Sequence, residues 1–308
     1  MGKKDTITKD YMSVPEHFAD AYNYYLFDGK QIIRAGELET MDATELAMIF
    51  SEEKTETAQK FRDILKHCIV KEDEKYTYLI LGIENQSDIH YAMPVKNMIY
   101  DALNYGQQVS EKAKQHRGKR DLQGDEFLSG FAKTDTLKPV ITLVIYFGTN
   151  EWDAPRNLKE MFGEVNEEIL QYVSDYKVNL LVPKEIEDFS KFRTDFGKAM
   201  KYIAVSDMEE EYEAVANEEP YKMINVDTAR LLNECVGMKI PIEKGEDKVE
   251  VCKAVKGIEE KGRQEGKKET LRVMIKTLQE LGHTKEDIVN IIMDKFSMTE
   301  DEILKYIE

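Results

Sequence analysis

The sequence predicts an α/β fold with a helical appendage at its C-terminal end. Two strongly apolar runs, within Tyr76–Gln86 and at Val140–Phe147, are typical of strands buried on both faces of a sheet. Segments with helical periodicity alternate with these runs, and this alternation indicates α/β layering. Beyond residue 257 only helical patterns follow, which indicates that the appendage is built from helices.

Length and charge limit the classes of function. The 308 residues suffice for two domains, or for one large domain with an appendage. Lys and Arg together number 43 against 60 Asp and Glu, which gives a net charge of −17. This balance argues against binding nucleic acid over the whole surface, although it leaves room for a local basic patch.

Cysteine content and hydropathy predict a cytoplasmic protein. Cys68, Cys235 and Cys252 are an odd number without metal-like spacing, so neither a disulfide framework nor a zinc knuckle is expected. The longest near-apolar run, Val140–Phe147, is too short for a bilayer. With no export signal recognisable, we expect no membrane association.

The first predicted element is a helix over Asp10–Leu26. Phe18, Tyr22 and Tyr25 fall at i, i+4 and i+7 and thereby form one apolar face. Gly29 follows in a turn, where it supplies a left-handed backbone position.

A hairpin and a long helix come next. Arg62–Val70 is predicted as a strand, residues 71–75 as a charged turn, and Tyr76–Gln86 as a central strand. A helix is predicted over Tyr91–Gln115, in which Pro94 is tolerable because it lies in the first turn.

Composition divides the rest of the chain. Before residue 205 we predict strands at Val140–Phe147 and Val178–Val182 and a helix at Ile186–Ala204. Many Glu residues and few large apolar ones follow, with helices predicted at Tyr221–Cys235 and from Asp247 onward. The predicted parts are a core over 1–205, an acidic helical connecting region over 206–256 and a helical appendage over 257–308.

The appendage carries clear helix punctuation. Gly257–Gly266 is predicted to be a charged hinge. Thr284 is a plausible N-cap with Asp287 at N3, and Ser297 with Glu300 forms a second capping box. The appendage is therefore predicted to contain three helices.

Asp63, Glu84 and Gln86 are the candidate site that the residues themselves suggest. Glu84 and Gln86 lie two apart at a strand end, so both side chains leave one face. Asp63 lies on the partner strand, and carboxylates that converge there would suit Mg²⁺. The alternative is that Glu84 and Gln86 merely end a strand at the solvent edge, and spacing alone favours this alternative over a metal site.

Several motifs in fixed order extend this pattern. They are Asp63-Ile64-Leu65, Ile83-Glu84-Asn85-Gln86-Ser87, then Met93, Lys96, Met98 and Tyr100, and finally Ile145-Tyr146-Phe147-Gly148 with Trp152 and Pro155. Over Pro15–Ala204 this order resembles the Rpn family of recombination-promoting nucleases, also called YhgA-like putative transposases. That family lies within the PD-(D/E)XK nuclease superfamily.

The resemblance implies a restriction-endonuclease-like mixed sheet flanked by helices, and a Mg²⁺-dependent DNA endonuclease linked to recombination or mobile elements. By resemblance, Asp63 and Glu84 are the metal carboxylates and the backbone carbonyl of Asn85 is a further ligand. Gln86 occupies the Lys position of the superfamily, and as a neutral amide it can only hydrogen-bond and orient a water.

Other positions follow from the resemblance less directly. Lys96 replaces the family's usual Arg and offers a point charge rather than a fork. Tyr100, one turn further, either hydrogen-bonds a phosphate or packs. Asp20 is the candidate for the superfamily's first acidic residue, with an ordinary surface Asp as the alternative.

DNA is the expected partner, and a dense basic stretch is the candidate for phosphate contacts. Its members are Lys112, Lys114, Arg117, Lys119 and Arg120. They either contact DNA phosphates or form a solvated helix end that complements the helix dipole. The acidic appendage favours a homodimer or a partner protein docked through the C-terminal helices over a DNA-reading motif.

Two rival functions remain at this stage. One is a catalytically inactive descendant of the same fold that binds DNA or a partner. In that case Gln86 and Lys96 would be the substitutions that accompanied the loss of activity. The other is a scaffold that acts through its helical tail.

Overall fold

The protein is described by a computed structural model. It describes residues 2–41, 64–72, 75–251, 273–278 and 284–296. The chain divides into two compact units, Met1–Glu250 and Val251–Glu308. Asp63, the hinge at Gly257–Gly266 and the capping box of Ser297 with Glu300 lie outside the described residues.

Helices and strands alternate along the first unit. The helices are α1 (Lys3–Ser13), α2 (Pro15–Phe27), α3 (Met93–Lys119), α4 (Gly124–Ser129), α5 (Glu167–Leu170), α6 (Asp195–Ala204), α7 (Glu209–Asn217), α8 (Glu219–Lys222) and α9 (Val226–Cys235). The strands are β1 (Glu39–Thr40), β2 (Ile64–Glu72), β3 (Lys75–Gln86), β4 (Val140–Tyr146), β5 (Asn179–Leu181), β6 (Met223–Asn225) and β7 (Lys248–Glu250). Short 3₁₀ turns lie at Ala35–Glu37, Lys159–Met161, Pro183–Glu185 and Phe189–Lys191.

A five-stranded mixed sheet forms the centre of this unit, in the order β1-β2-β3-β4-β5. The strand pairs β1–β2 and β2–β3 are antiparallel, whereas β3–β4 and β4–β5 are parallel. The α/β prediction is therefore confirmed, with β3 as the central strand. Its run Leu79–Ile83 is buried, as expected for a strand covered on both faces.

Helices cover both faces of the sheet. On one face α3 contacts β4, where the Tyr105 hydroxyl accepts a hydrogen bond from the Val140 N–H at 3.0 Å. On the other face the Tyr22 hydroxyl of α2 donates to the Gly82 carbonyl at 2.7 Å. Beside it, the buried Lys66 lies over the Phe18 ring, and burial lowers the pKa of this lysine.

The predicted helix over Asp10–Leu26 is two helices. Val14 separates α1 from α2 with an extended backbone, φ −61° and ψ 120°. Pro15 explains this break, because the residue before a proline is disfavoured in helical conformation. The predicted turn after α2 is confirmed: Gly29 has φ +81°, and a Cβ there would lie 2.7 Å from the Lys191 Cβ.

The helix predicted over Ile186–Ala204 begins only at Asp195. Side chains compete with helix formation before that point. Asp188 accepts a hydrogen bond from the Ser190 N–H, and Thr194 caps α6 by accepting from the Phe196 N–H. The stretch before α6 is consequently made of 3₁₀ turns.

Residues 206–250 pack within the first unit and are not wholly helical. The helix predicted over Tyr221–Cys235 starts at Val226, after strand β6, and the helix predicted from Asp247 is replaced by strand β7. Antiparallel pairing of β6 with β7 explains both differences, since neither short strand carries a distinctive pattern of its own. The division of the chain at 205 and 256 stays a prediction.

In the second unit, residues 273–278 are helical and α10 spans Lys285–Phe296. The predicted cap is present, because the Asp287 N–H donates to the Thr284 hydroxyl at 3.2 Å. Among the described residues Cys68 and Cys235 are free thiols. None of the described helices has both the length and the apolar character needed to cross a membrane.

Candidate active site

Glu84 is the centre of the candidate site. It lies near the end of β3, opposite Val144 of β4, and only 4% of it is exposed. Side-chain alternation places Glu84 and Gln86 on the sheet face that α3 covers. A carboxylate buried this deeply is costly unless donors or a cation compensate its charge.

Lys96 supplies that cation. Pro94 lies in the first turn of α3, where the helix needs no N–H donor, so it is compatible with the start of the helix. This start lies soon after the end of β3. The fully buried Met93 anchors this turn in a core cluster that includes Val144 of β4. From there the Lys96 ammonium donates to Glu84 Oε1, with 20% of its side chain exposed.

Gln86 completes the cluster around the carboxylate. Its Nε2 donates to Glu84 Oε1 at 3.1 Å and to the backbone carbonyl of Asn85 at 2.9 Å. The amide therefore orients the carboxylate without adding charge. The structure thus brings Glu84, Asn85, Gln86 and Lys96 together at the end of the central strand.

The buried face of α3 beside the site is unusually polar. Tyr100 is 6% exposed and lies one turn beyond Lys96. Asp101 accepts hydrogen bonds from the Thr142 hydroxyl, at 2.7 Å, and from the Tyr176 hydroxyl. Asn97 is completely buried, and within the described part of the chain neither polar atom of its side chain has a hydrogen-bond partner.

Sequence reasoning missed Asn97 and Asp101. The sequence shows only that Met93, Asn97, Asp101 and Asn104 repeat at helical spacing. That all four are buried is visible only in the structure. Three of these four side chains are polar, and a polar stripe that faces a sheet indicates a hydrogen-bonded or functional layer rather than ordinary core.

Asp20 has a different set of partners from Glu84. Its carboxylate accepts hydrogen bonds from the N–H groups of Arg193 and Thr194 at 2.8–3.0 Å and from the Thr194 hydroxyl at 2.7 Å. These contacts join α2 to the start of α6. Its predicted role as an additional acid stays a prediction.

Asp63 lies outside the described residues, and the register of β2 with β3 is described up to the pair Ile64 and Ile83. The described residues contain no group of three or more His, Cys, Asp or Glu side chains placed to hold a metal ion. The Glu84 carboxylate and the Asn85 carbonyl are hard oxygen donors of the kind Mg²⁺ prefers. The described residues therefore fit part of a Mg²⁺ site.

The basic stretch lies at the C-terminal end of α3. Lys112 is 3.4 Å from Asp135, and the Arg117 Nε donates to the Ala113 carbonyl. Lys114, Lys119 and Arg120 are exposed. Between them His116 contacts Asp121 with Nδ1 and Asp135 with Nε2, both at 2.8 Å, and these hydrogen bonds raise the pKa of its imidazole.

Comparison with models of known protein families places the chain in a family. A family model described as a putative transposase, YhgA-like, matches residues 3–219 of the 308, which is more than half of the chain. No curated protein matches significantly, and no solved structure does.

Proposed function

The chain belongs to the family of YhgA-like putative transposases, and from that premise we propose that it is a Mg²⁺-dependent endonuclease that hydrolyses DNA. The family gives it a link to mobile elements. In this proposal the mixed sheet is that of a PD-(D/E)XK nuclease. The observation that carries the proposal is the buried Glu84 carboxylate, held between Lys96 and Gln86 at the end of the central strand.

Stability alone does not account for this cluster. A buried ion pair is often no more stabilising than apolar residues of the same volume, because both charges lose their hydration. Asn97 adds a second polar group in the same buried face of α3. Polar groups gathered at a cost to stability are typical of functional sites.

Glu84, Asn85 through its carbonyl, and Asp63 are the residues that would hold Mg²⁺. When bound, the ion would polarise a phosphate and lower the pKa of a bound water. Gln86 hydrogen-bonds the Glu84 carboxylate, and in this proposal its amide orients a water. Lys96 supplies positive charge close to where negative charge develops during phosphodiester hydrolysis.

Nicking of supercoiled plasmid DNA tests this proposal. We expect the intact protein to nick or linearise the plasmid with Mg²⁺, and EDTA, Asp63→Asn and Glu84→Gln each to abolish cleavage. Glu185→Gln is the matched control, since Glu185 also pairs with a cation, Arg156, but at the surface. Cleavage by Glu84→Gln at the rate of the intact protein would refute the site assignment.

A second candidate is a protein of the same fold that binds DNA without cutting it. Lys96 already compensates Glu84, and Gln86 provides no charge in the position where the superfamily uses a lysine. This candidate expects no cleavage with Mg²⁺ or Mn²⁺, and DNA affinity that is unchanged by Glu84→Gln.

A further inference from the structure

A short excursion of the chain is fixed to the end of α3. We call residues 121–135, which include α4, the clasp. The His116 imidazole lies between Asp121, where the clasp begins, and Asp135, where it ends, with 2.8 Å to each carboxylate. Lys112 adds a second contact to Asp135. Both ends of the clasp are thereby tied to one histidine.

Gly130 sets how closely the clasp approaches α3. Its φ is +69°, and a Cβ added there would lie 2.8 Å from the Ala113 Cβ. Only glycine combines this left-handed backbone with so close a contact. The end of α4 is therefore seated directly against α3.

A cavity of about 400 Å³ lies between the clasp and the last turns of α3. Ala113 and Gly130 line it where the two helices meet, and Leu122 and Phe127 contribute apolar surface. Phe127 is 67% exposed, so its ring is accessible to a ligand in the cavity. This size is within the range of small-molecule sites.

The same cavity is cationic. Arg117, Arg120 and His116 also line it. Within the described ranges no acidic side chain forms an ion pair with either arginine. His116 is held between Asp121 and Asp135, and these hydrogen bonds raise the pKa of its imidazole. An exposed aromatic ring can stack on a planar group, and the flanking cations can bind negatively charged groups attached to it.

We propose that this cavity binds an unpaired nucleobase stacked on Phe127, with the flanking phosphates held by Arg117 and Arg120. The protein would accordingly bind single-stranded DNA, as a flap, gap or unwound segment. Aromatic stacking next to a cationic track is how single strands are bound without sequence preference. An acidic peptide would match the charge but offers no base to stack. The inference rests on the proposed function only in taking DNA as the ligand.

Equilibrium binding measured by fluorescence polarisation, in EDTA and at low salt, tests the inference. The probes are an oligothymidylate of about twelve nucleotides, a length that one such surface can bind, and an abasic strand of equal length and charge. Phe127→Ala is compared with Leu128→Ala, because Leu128 is its neighbour, is 82% exposed and does not line the cavity. Arg117→Ala is compared with Lys114→Ala in the same way.

We expect Phe127→Ala to weaken oligothymidylate binding at least about fivefold, the lower limit for one stacked base. Leu128→Ala should leave binding unchanged, and Phe127→Trp should restore it. The abasic strand should bind the intact protein more weakly and be insensitive to Phe127→Ala. Arg117→Ala should weaken both probes, and more than Lys114→Ala does.

The inference is overturned if the abasic strand binds as tightly as the oligothymidylate, if Phe127→Ala and Leu128→Ala bind alike, or if polyglutamate displaces both probes equally well. Because EDTA removes any cleavage, these results are independent of catalysis. Base-dependent binding without plasmid nicking would refute the proposed endonuclease and leave this inference standing.

Discussion

At the scale of single residues, the pair of Glu84 and Lys96 bears on stability and, in our proposal, also on the chemistry. The lysine is compensation for a carboxylate that is 4% exposed, and it is also the charge that we assign to the scissile phosphate. These two roles compete for one ammonium group. A divalent cation near Glu84 would release Lys96 for the second role.

Lys96→Ala should therefore destabilise the protein in a cation-dependent manner. Without Mg²⁺ we expect a loss of about 1–3 kcal/mol, because the Glu84 carboxylate keeps its burial and loses its counter-charge. With Mg²⁺ the loss should shrink. Urea denaturation in EDTA and in Mg²⁺ measures both quantities.

Lys184→Ala is the control for that experiment. Lys184 pairs with Asp207 at 2.7 Å and has a similar exposed fraction, 23%, but its partner is at the surface. Its loss should cost less than about 1 kcal/mol, with or without Mg²⁺. Equal losses of unfolding free energy for both variants would show that Lys96 and Glu84 form an ordinary surface ion pair.

His116 should titrate above the usual pKa of histidine, about 6.5. Hydrogen bonds to Asp121 and then Asp135 raise its pKa, since both carboxylates favour the imidazolium. The contribution of the clasp contacts to stability is thus fully present below about pH 6.5 and is lost as pH rises through the raised pKa. NMR titration of the imidazole protons measures the value.

The same spectra contain an internal control. Burial lowers the pKa of His17, which stacks on Tyr11. The pKa values of the two histidines should therefore be shifted in opposite directions from the usual value. Asp121→Asn should lower the pKa of His116 and leave that of His17 unchanged. A pKa of His116 at or below the usual value would contradict the geometry of the clasp.

At the scale of elements, Asp20 joins α2 to α6. Its carboxylate accepts from the Arg193 and Thr194 backbone, and Thr194 in turn caps α6. Asp20→Asn replaces one accepting oxygen by a donor, which cannot serve these N–H groups. We expect a loss of about 2 kcal/mol, measured by urea denaturation.

Asp28→Asn is the matched change at the end of the same helix. Asp28 pairs with Lys191 while 76% of its side chain is exposed, so its substitution should alter stability by less than about 0.5 kcal/mol. A loss for Asp20→Asn that is no larger than this would show that its hydrogen bonds are not maintained in solution.

Elements with a strong local pattern could be predicted from the sequence. The hairpin of β2 and β3 has a charged turn between apolar runs, and α3 has Pro94 at its start. The short strands β6 and β7 could not be predicted, because three residues carry no periodicity and their pairing is tertiary. The late start of α6 depends on capping by Thr194. The residues before Thr194 have a similar helical pattern, so the sequence alone does not show where the helix begins.

The candidate site was predictable to the same extent. Period two in the strand puts Glu84 and Gln86 on one face, and the resemblance to a family singles out Lys96. Burial was not predictable, since Asn97 and Asp101 look like surface residues in the sequence. Their burial follows from how α3 packs on the sheet, which local patterns do not encode.

At the scale of the whole molecule, a net charge of −17 requires any DNA contact to be local. Lys114, Arg117, Lys119 and Arg120 are exposed at one end of α3. If these four contact phosphates, the slope of log Kobs against log salt should be about −4. Titrations of a short duplex between about 50 and 200 mM salt measure it.

Single substitutions refine this salt prediction. Lys119→Ala should reduce the magnitude of the slope by about 1, whereas Lys184→Ala, at a distant ion pair, should not change it. A slope near −10 would mean that other cations dominate DNA binding, and it would contradict the assignment of this stretch.

The central claim is that Glu84 belongs to a cation site, and calorimetric titration of the full chain with Mg²⁺ tests it most directly, because binding requires neither a DNA substrate nor a partner. The account predicts that the intact protein and Glu185→Gln bind Mg²⁺ alike. Glu84→Gln should bind it more than about tenfold more weakly, since even a supporting residue of a metal site has that effect. Equal Mg²⁺ affinity of Glu84→Gln and the intact protein would contradict the claim.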